Sequence, residues 1–542
     1  MDFQRILLFL VFSFSIYSLW EGWQREHQIP VQPGFSSSTP APSQNLVKLD
    51  KPKEMASAPD VIASSQKGEP VTVRTDFMQV EINTLGGDIT RLELLNHHDT
   101  NDKSKPFVVF ESDAGQKYIA QTGLLGGNLP THNAVFSVKS NNYVITPGQK
   151  ALEVPFTYKT ANGITVSKIF VFHNDSYLVD VKYAINNGSK DAIDPSAYFQ
   201  IVRNDFVPGG PSHFVPTYTG PAFYTEKDKF KKVEFSSIEK HKADVPAASD
   251  NGWVGMLQHY FVSAWLPQGK TEREFFAKQL SDKLYSVGVI LPIATIEPGK
   301  DASITVPLYV GPAQSKLDNV AEGLGLTVDY GFLTIIAKPI FWLLTFIHGM
   351  VGNWGVAIIL LTVLIKLFFF PLSAASYRSM AKMRVVAPKL TRIKEQYAND
   401  REKLNRAMMD LYKTEKINPM GGCFPVLIQI PVFMALYWSI QSSVEMRYAP
   451  FFGWITDLSK TDPYFVLPVL MGVSMFVQSR LNPTPPDPLQ AKMMQIMPLV
   501  FSIVFFFFPA GLVLYSIVNN VLSILQQWYI NRLISTDTKG AA

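Results

Sequence analysis

The chain has little cysteine and little charge. Cys423 is the single cysteine in 542 residues, which excludes an intrachain disulfide and a zinc site built from several cysteines. Charged residues make up 17% of the chain, whereas soluble proteins usually contain about a quarter. The formal net charge is +4, which is too small to indicate a nucleic-acid partner, and no DNA binding is expected.

The sequence also lacks the motifs of several enzyme classes. It contains no P-loop that would bind a nucleotide. Four histidines, His97, His98, His173 and His259, lack the spacing to carboxylates that a metal site requires. We therefore expect no catalytic residue, no metal and no cofactor.

The N-terminal residues 1–23 are predicted to anchor the chain in a membrane. An apolar run over 6–20 follows Arg5, and it ends in Trp20 and Trp23. Tryptophans suit a membrane interface, whereas a cleaved signal peptide, the alternative, would end in small residues. Residues 24–70 are rich in Pro, Ser, Ala and Lys and show no apolar period. They are predicted to form a flexible linker.

Residues 71–315 predict an all-β domain. Apolar residues alternate with others over several short stretches, which is typical of half-buried strands. Asn-Gly pairs at 162–163 and 187–188 predict turns beside them. The alternating stretches are 152–158, 177–185 and 304–310. Frequent turns and a period of two favour an antiparallel sandwich.

Beyond residue 315 the apolar pattern becomes helical. Residues 316–350 are predicted to form a connector and an amphipathic helix lying at the membrane interface, because polar residues interrupt the run. Longer apolar runs predict membrane spans at 351–373, 419–441, 464–480, 493–509 and 510–530. The last two are separated at Pro509 and Gly511, which break helices. With the anchor, six spans are predicted.

The loops predict the orientation of these spans. Residues 374–418 form a predicted helical hairpin with eleven Lys or Arg and five Asp or Glu. Loop 442–463 holds only two Lys or Arg and three Asp or Glu. The positive-inside rule then places the hairpin in the cytoplasm and loop 442–463 outside. Alternation puts the β-domain outside, and loop 481–492 and the short tail 531–542 inside.

Lys366 lies within the predicted span 351–373. A charge in a bilayer costs roughly 2.5 to 3.5 kcal/mol on insertion scales, so this side chain needs water, a partner or an interior position. No Asp or Glu lies in any predicted C-terminal span, although Gln429 and other amides do. Two interpretations stay open. Lys366 lines a polar groove, with Thr362 on the same helical face, or its ammonium reaches out to the cytoplasmic interface.

Several motifs resemble the YidC family of membrane protein insertases. They are GMVGNWG at 349–355, SMAKMR at 379–384, NPMGGCFPVLIQIPVFMALYW at 418–438, DPYFVLPVLMG at 462–472, FPAGLVLYSIVNN at 508–520 and, more weakly, INTLGGDITRLEL at 82–94. The resemblance implies a polytopic α-helical membrane protein with a five-helix insertase core and an all-β periplasmic supersandwich domain.

The resemblance also implies a groove open to cytoplasm and lipid. Family members charge this groove with one arginine, and Lys366 stands in its place. Thr362 and Tyr515 match polar and aromatic groove positions, while Ser516 stands where the family has a second aromatic. We therefore expect Lys366, Thr362, Gln429 and Tyr515 to contact substrate.

The function implied is that of an insertase and folding chaperone. It would move hydrophobic segments of nascent membrane proteins from the cytoplasm into the bilayer of a Gram-negative inner membrane, alone or with the Sec translocon. The cytoplasmic loops are candidates for ribosome contact. The short tail holds two basic residues, so strong ribosome binding through it is not expected.

Two other classes stay open from the residues alone. A transporter needs paired repeats around a midplane site, and no inverted repeat is visible. A membrane protease needs a Ser–Lys pair. Lys366 and Ser373 are seven residues apart, about 10 Å along a helix, which is too far for direct activation. Another serine brought close by folding would restore this alternative.

Overall fold

The alternating pattern of residues 71–315 folds into two stacked β-sheets, which confirms the predicted sandwich. The computed structural model describes residues 68–540 except 101, 114, 208–217, 329, 331–332, 398–399, 416–423 and 482–487. The predicted anchor over 1–23 and most of the predicted linker 24–70 lie outside the described residues.

Nineteen strands occur in the described residues. They are β1 Pro70–Arg74, β2 Met78–Asn83, β3 Asp88–His98, β4 Pro106–Ser112, β5 Lys117–Leu125, β6 Ser137–Val138, β7 Asn142–Val144, β8 Ala151–Lys159, β9 Ile164–His173, β10 Leu178–Asn187, β11 Ser196–Asn204, β12 Gly220–Thr225, β13 Lys229–Lys232, β14 Ala248–Ser249, β15 Trp253–Gln258, β16 Phe261–Trp265, β17 Arg273–Ser281, β18 Leu284–Pro292 and β19 Asp301–Pro312.

One sheet has ten strands in the order β14-β17-β18-β11-β5-β4-β3-β2-β1-β7, and the other has nine in the order β13-β12-β15-β16-β19-β10-β9-β8-β6. Within the described strands, β1 and β7 run parallel and the other pairs run antiparallel. The predicted alternation is met in β10, where Val181 and Tyr183 are buried. Across the sandwich, the Phe199 and Trp265 rings lie 5.2 Å apart, a normal spacing for packed aromatic rings.

A lysine interrupts the apolar inner face of the sandwich. Lys168 on β9 is 1% exposed, and its ammonium donates to the carbonyl oxygens of Gly86 at 2.9 Å and Gly87 at 2.8 Å. A Cβ on Gly87 would stand 3.1 Å from the Lys168 side chain, so glycine allows this close approach. The LGGD segment of the 82–94 motif thus forms a socket for a buried cation.

Asp88 supplies the opposite charge in this socket. One carboxylate oxygen accepts from Gln121 Nε2 at 2.6 Å, and Gln121 in turn accepts from Gln200 at 3.0 Å. Burial raises the pKa of Asp88 and lowers the pKa of Lys168, because each charge has left water. A polar chain therefore crosses the core and ties β9 of one sheet to β3, β5 and β11 of the other.

The described residues also contain nine α-helices. They are α1 Phe235–Glu239, α2 Thr334–Val351, α3 Trp354–Phe368, α4 Phe370–Gln396, α5 Arg401–Thr414, α6 Phe424–Ser442, α7 Val466–Leu481, α8 Pro488–Phe505 and α9 Ala510–Gly540. Helices α2, α3, α6, α7 and α9 share one apolar core, which includes Leu344, Leu361, Leu436 and Leu512.

Most predicted helical segments have a helix at the predicted place. The predicted break at Pro509 is confirmed, because α8 ends at Phe505 and α9 begins at Ala510. The predicted helical hairpin is α4 and α5, where Asp400 caps α5 by accepting from the Lys403 backbone N–H at 3.0 Å. The number of spans and their boundaries in the bilayer stay predictions.

The structure adds detail to two predicted segments, whose boundaries stay predictions. The chain predicted to form the span 351–373 bends by 67° after Phe368, because Pro371 has no N–H to continue the hydrogen bonds of α3 but suits the first turn of α4. The predicted tail 531–542 is helical as far as Gly540. Its sequence NRLISTDTK contains neither proline nor glycine that would stop the helix.

Helix α2 has one packed face and one open face. Leu344 and Ile347 are buried, while Ile335 and Trp342 are 88% and 67% exposed. It is also the one described helix that by itself has the length and hydropathy of a membrane span. The interfacial position of α2 therefore stays a prediction.

The loop between α6 and α7 joins the helical bundle to the β-domain. The Arg447 guanidinium donates to Thr100 Oγ1 at 2.8 Å and lies 5.1 Å from the centre of the Phe107 ring. Lys460 donates to the Thr100 carbonyl at 2.8 Å. The β-domain therefore rests on one end of the bundle, at the loop that fixes the spacing of α6 and α7.

The Lys168 socket predicts a large effect on stability. Lys168→Met should lower the free energy of unfolding of the β-domain by about 3 to 5 kcal/mol, because it leaves the Asp88 carboxyl buried without its counter-charge. Pulse proteolysis in urea on the detergent-solubilised chain measures this loss. Lys182→Met, on the partly exposed face of β10, is the control and should change stability by less than about 0.5 kcal/mol. Equal midpoints for the two variants would contradict the prediction.

His132 predicts a loss of stability in acid. It is 3% exposed, its Nδ1 lies 2.6 Å from Tyr198 Oη, and burial lowers its pKa from 6.5 to about 4. Between pH 6.5 and 4 the unfolded chain therefore binds a proton that the folded chain excludes, so stability falls as pH falls through this window.

The loss attributable to His132 is on the order of 3 kcal/mol once the pH reaches 4. His132→Asn removes the titrating group and keeps an oxygen that accepts from Tyr198. Urea midpoints at pH 7 and pH 4.5 should differ less in this variant than in the natural chain. The same difference in both proteins would show that His132 does not cause the loss.

Candidate functional site

A partly polar cavity of about 320 Å³ lies within the helical bundle, lined by α3, α4, α6, α7, α8 and α9. Its polar lining residues are Lys366, Tyr377, Gln429, Gln478, Tyr515, Ser516, Asn519, Asn520 and Ser523. Its apolar lining residues are Met380, Ile430, Phe433, Met471, Met475 and Phe505. Such a mixture can hold water or polar backbone on one side and an apolar helix on the other.

Helix α3 places Lys366 in this cavity. Asn353 caps α3 by accepting from the Val356 backbone N–H at 3.0 Å. The helix then buries Ile358 and Leu361 against the bundle, which fixes its rotation about its axis. Lys366 falls in the last turn, where a cation also interacts favourably with the C-terminal end of the helix dipole.

The Lys366 ammonium is held by a hydroxyl group. Its Nζ donates to Ser523 Oγ on α9 at 2.7 Å. Ser523 is 4% exposed, and its own proton goes to the Asn519 carbonyl at 2.8 Å. Among the described residues that line the cavity there is no carboxylate, so the charge is stabilised by neutral groups.

The far end of the cavity is closed by a second pair. Gln429 Nε2 on α6 donates to Tyr515 Oη on α9. Tyr515 and Ser523 are eight residues apart, about 12 Å along α9. Beyond Tyr515 the packing is apolar and includes Leu512, Val513 and Leu436. The cavity is therefore charged at one end and sealed by apolar packing at the other.

Three of the four residues predicted to contact substrate line this cavity: Lys366, Gln429 and Tyr515. The fourth, Thr362, does not. It is 1% exposed, and its hydroxyl donates to the Ile358 carbonyl of its own helix at 2.6 Å. Sharing a helical face with Lys366 was not sufficient, because the short threonine side chain ends inside the helix packing.

Ser523 was not singled out from the sequence. Its signal is a period of four on α9, where Tyr515, Asn519 and Ser523 follow one another on one helical face. Asn520 lies beside this row and donates to Ser474 on α7 at 2.8 Å. Polar residues at intervals of four in an otherwise apolar helix would have indicated a polar face.

The Lys366–Ser523 pair bears on the Ser–Lys protease alternative. In such an enzyme the amine accepts the proton of the serine hydroxyl. With Lys366 in its protonated form, its ammonium has no lone pair to accept this proton; it donates to Ser523, whose hydroxyl donates to the Asn519 carbonyl. Ser373, the serine considered from sequence, is not among the residues that line the cavity. The arrangement suits charge attraction and not nucleophilic attack.

Comparison with known proteins agrees with the motifs. Residues 70–343 match the family model described as the YidC periplasmic domain, and residues 346–538 match that described as the 60Kd inner membrane protein. A Methylobacillus flagellatus protein named membrane protein insertase YidC is 54% identical over 100% of this chain and 99% of its own length. The chain belongs to the YidC family of membrane protein insertases.

Two further similarities were found, one to a protein sequence and one to a solved structure. A Nitrosospira multiformis protein with the same name is 52% identical over 98% of both chains. A crystal structure of an active YidC insertase with its first transmembrane domain resolved has a TM-score of 0.39 and 19% identity, covering 87% of this chain and 95% of its own.

Membership in the YidC family identifies what each half of the structure is. The β-sandwich is the periplasmic domain of a YidC family member, and the helices form its insertase region in the inner membrane. The cavity with Lys366 lies in the insertase region. The relatives are named as membrane protein insertases.

Proposed function

We propose that this protein inserts nascent membrane proteins by receiving their polar, outward-going segment in the cavity beside Lys366. The observation that carries the proposal is an ammonium inside an apolar bundle, hydrogen-bonded to Ser523 and facing a cavity lined by no carboxylate among its described residues. Such a charge attracts an acidic or carbonyl-rich segment, because an ammonium donates three hydrogen bonds and Ser523 occupies one.

The apolar helix of the substrate would move separately into lipid. Burying an apolar helix is favourable by roughly 25 cal/mol per Å², so no nucleotide is needed for this step. The cavity wall toward α6, α7 and α8 presents Ile430, Met475 and Phe505. Methionine and aromatic side chains adapt to varied partners, which suits a protein that handles many sequences.

Short helices would lower the barrier further. Helix α3 has 15 residues and α7 has 16, which gives lengths of about 22 and 24 Å at 1.5 Å per residue. A bilayer core is about 30 Å thick. We propose that the membrane thins around these helices, which shortens the apolar path that a polar segment must cross.

The proposed placement in the cell follows the loop charges. The protein would cross a Gram-negative inner membrane six times with both termini in the cytoplasm, the β-domain in the periplasm, and the α4–α5 hairpin in the cytoplasm. The basic hairpin is then available to ribosomal RNA or anionic lipid. Cooperation with the Sec translocon is part of the same proposal and rests on the family.

Changing the charge at Lys366 tests the proposal. Lys366→Glu and Lys366→Gln should lower the insertion rate of a single-span substrate with an acidic outward segment by about tenfold, since a charge-assisted hydrogen bond is lost. Insertion is read in proteoliposomes as protease protection of the outward segment. A substrate with a neutral outward segment should be affected less.

The matched control is Lys382→Gln, which removes a lysine from the exposed surface of α4. It should insert both substrates at the natural rate, and Lys366→Arg should retain most activity because the charge is kept. Normal insertion of the acidic substrate by Lys366→Glu would overturn the role of the charge. Cleavage of a substrate by the purified protein would instead favour the protease alternative.

A further inference from the structure

Ser523 donates a hydrogen bond along its own helix and accepts one from Lys366, and the Tyr377 hydroxyl also lies within hydrogen-bonding reach of it. The Ser523 hydroxyl donates to the Asn519 carbonyl one turn earlier at 2.8 Å. The lone pairs of Ser523 Oγ then face the cavity, and Lys366 Nζ donates to them at 2.7 Å. Because Ser523 is 4% exposed, the hydroxyl has little freedom to turn toward bulk water.

The Lys366 side chain can also extend out of the cavity toward the aqueous interface. The two residues that follow Lys366 on α3 are Leu367 and Phe368, and they are 62% and 78% exposed. Helix α3 therefore ends at the surface of the bundle. A lysine side chain near a helix end reaches the aqueous interface through its flexible four-carbon stem. An ammonium without a fixed acceptor inside the cavity would therefore leave it.

We propose that Ser523 is the positioning residue for Lys366. It holds the ammonium in the cavity with two N–H groups that have no partner among the described residues and can bind carboxylate or carbonyl oxygens of a substrate. This inference rests on the proposed function, because it assigns the position of the group that attracts the substrate. Ser523 itself accepts one hydrogen bond from Lys366 and does not bind the substrate. Its effect on insertion passes through Lys366.

The first experiment measures the position of the ammonium. The full chain in proteoliposomes is treated with a water-soluble acetylating ester, and acetylation of Lys366 is followed by peptide mass spectrometry with exposed Lys382 as the internal reference. Ser523→Ala should raise the rate at Lys366 by about tenfold, because a hydrogen bond to a charged group is lost. Ser523→Thr keeps the hydroxyl and should restore the slow rate.

Ser516→Ala is the matched control. Ser516 also lines the cavity on α9, is 5% exposed, and donates to the Leu512 carbonyl of its own helix at 2.8 Å. The acetylation rate of Lys366 should stay within about twofold in this variant. An unchanged rate in Ser523→Ala, or an equal rise in Ser516→Ala, would overturn the positioning role.

The second experiment is a double-mutant cycle on insertion of the acidic substrate. When Lys366 is present, Ser523→Ala should slow insertion several-fold, by a factor similar to the rise in the acetylation rate of Lys366. In the Lys366→Gln background, Ser523→Ala should have no added effect. An equal loss in both backgrounds would mean that Ser523 acts on the fold and not through the ammonium. If Lys366→Gln alone inserts normally, the proposed function fails, while the acetylation rates still decide the positioning role.

Discussion

A single ammonium in an apolar helical bundle is the constraint on which the structure of the insertase region depends. Lys366 lies one turn beyond the buried Leu361 and Thr362 of α3, and the described cavity around it offers no carboxylate. The charge is tolerated because Ser523 accepts its hydrogen bond and because the cavity provides room for water or substrate. An apolar residue here would pack with less cost, so the cost of the charge is consistent with a functional role and not with stability.

The rest of the bundle keeps that charge in place. The bend after Phe368 brings α4 to the same cavity that α3 enters, and the Gln429–Tyr515 pair closes its far end. The loop between α6 and α7, held to the periplasmic domain through Arg447, links the two cavity-lining helices on that side. A second buried cation, Lys168, differs: its ammonium donates to the carbonyl oxygens of Gly86, Gly87 and Thr122, so it fastens two sheets and has no N–H left for a ligand.

Much of the fold could be predicted from periodicity. Alternation marked β8, β10 and β19, and the Pro509–Gly511 break separated α8 from α9, because these signals are local. The bend at Phe369 required recognising that Pro371 begins a new helix and does not merely lie near the end of a span. In the site, Lys366 was visible as a charge in an apolar run, whereas Ser523 was not, since serine is common in helices and its partner lies 157 residues away. Thr362 does not line the cavity for the converse reason: helical spacing gives the face of a residue but not the reach of its side chain.

Site-specific photocrosslinking to a stalled nascent membrane protein tests most directly whether this cavity is the path of the substrate. A crosslinking side chain at position 429 or 475 lines the cavity, whereas one at 364 is exposed on α3 outside it. We expect crosslinks from positions 429 and 475 to the segment around the first membrane helix of the nascent chain, with clearly weaker ones from 364. Equal yields at all three positions, or none from 429 and 475, would contradict this expectation.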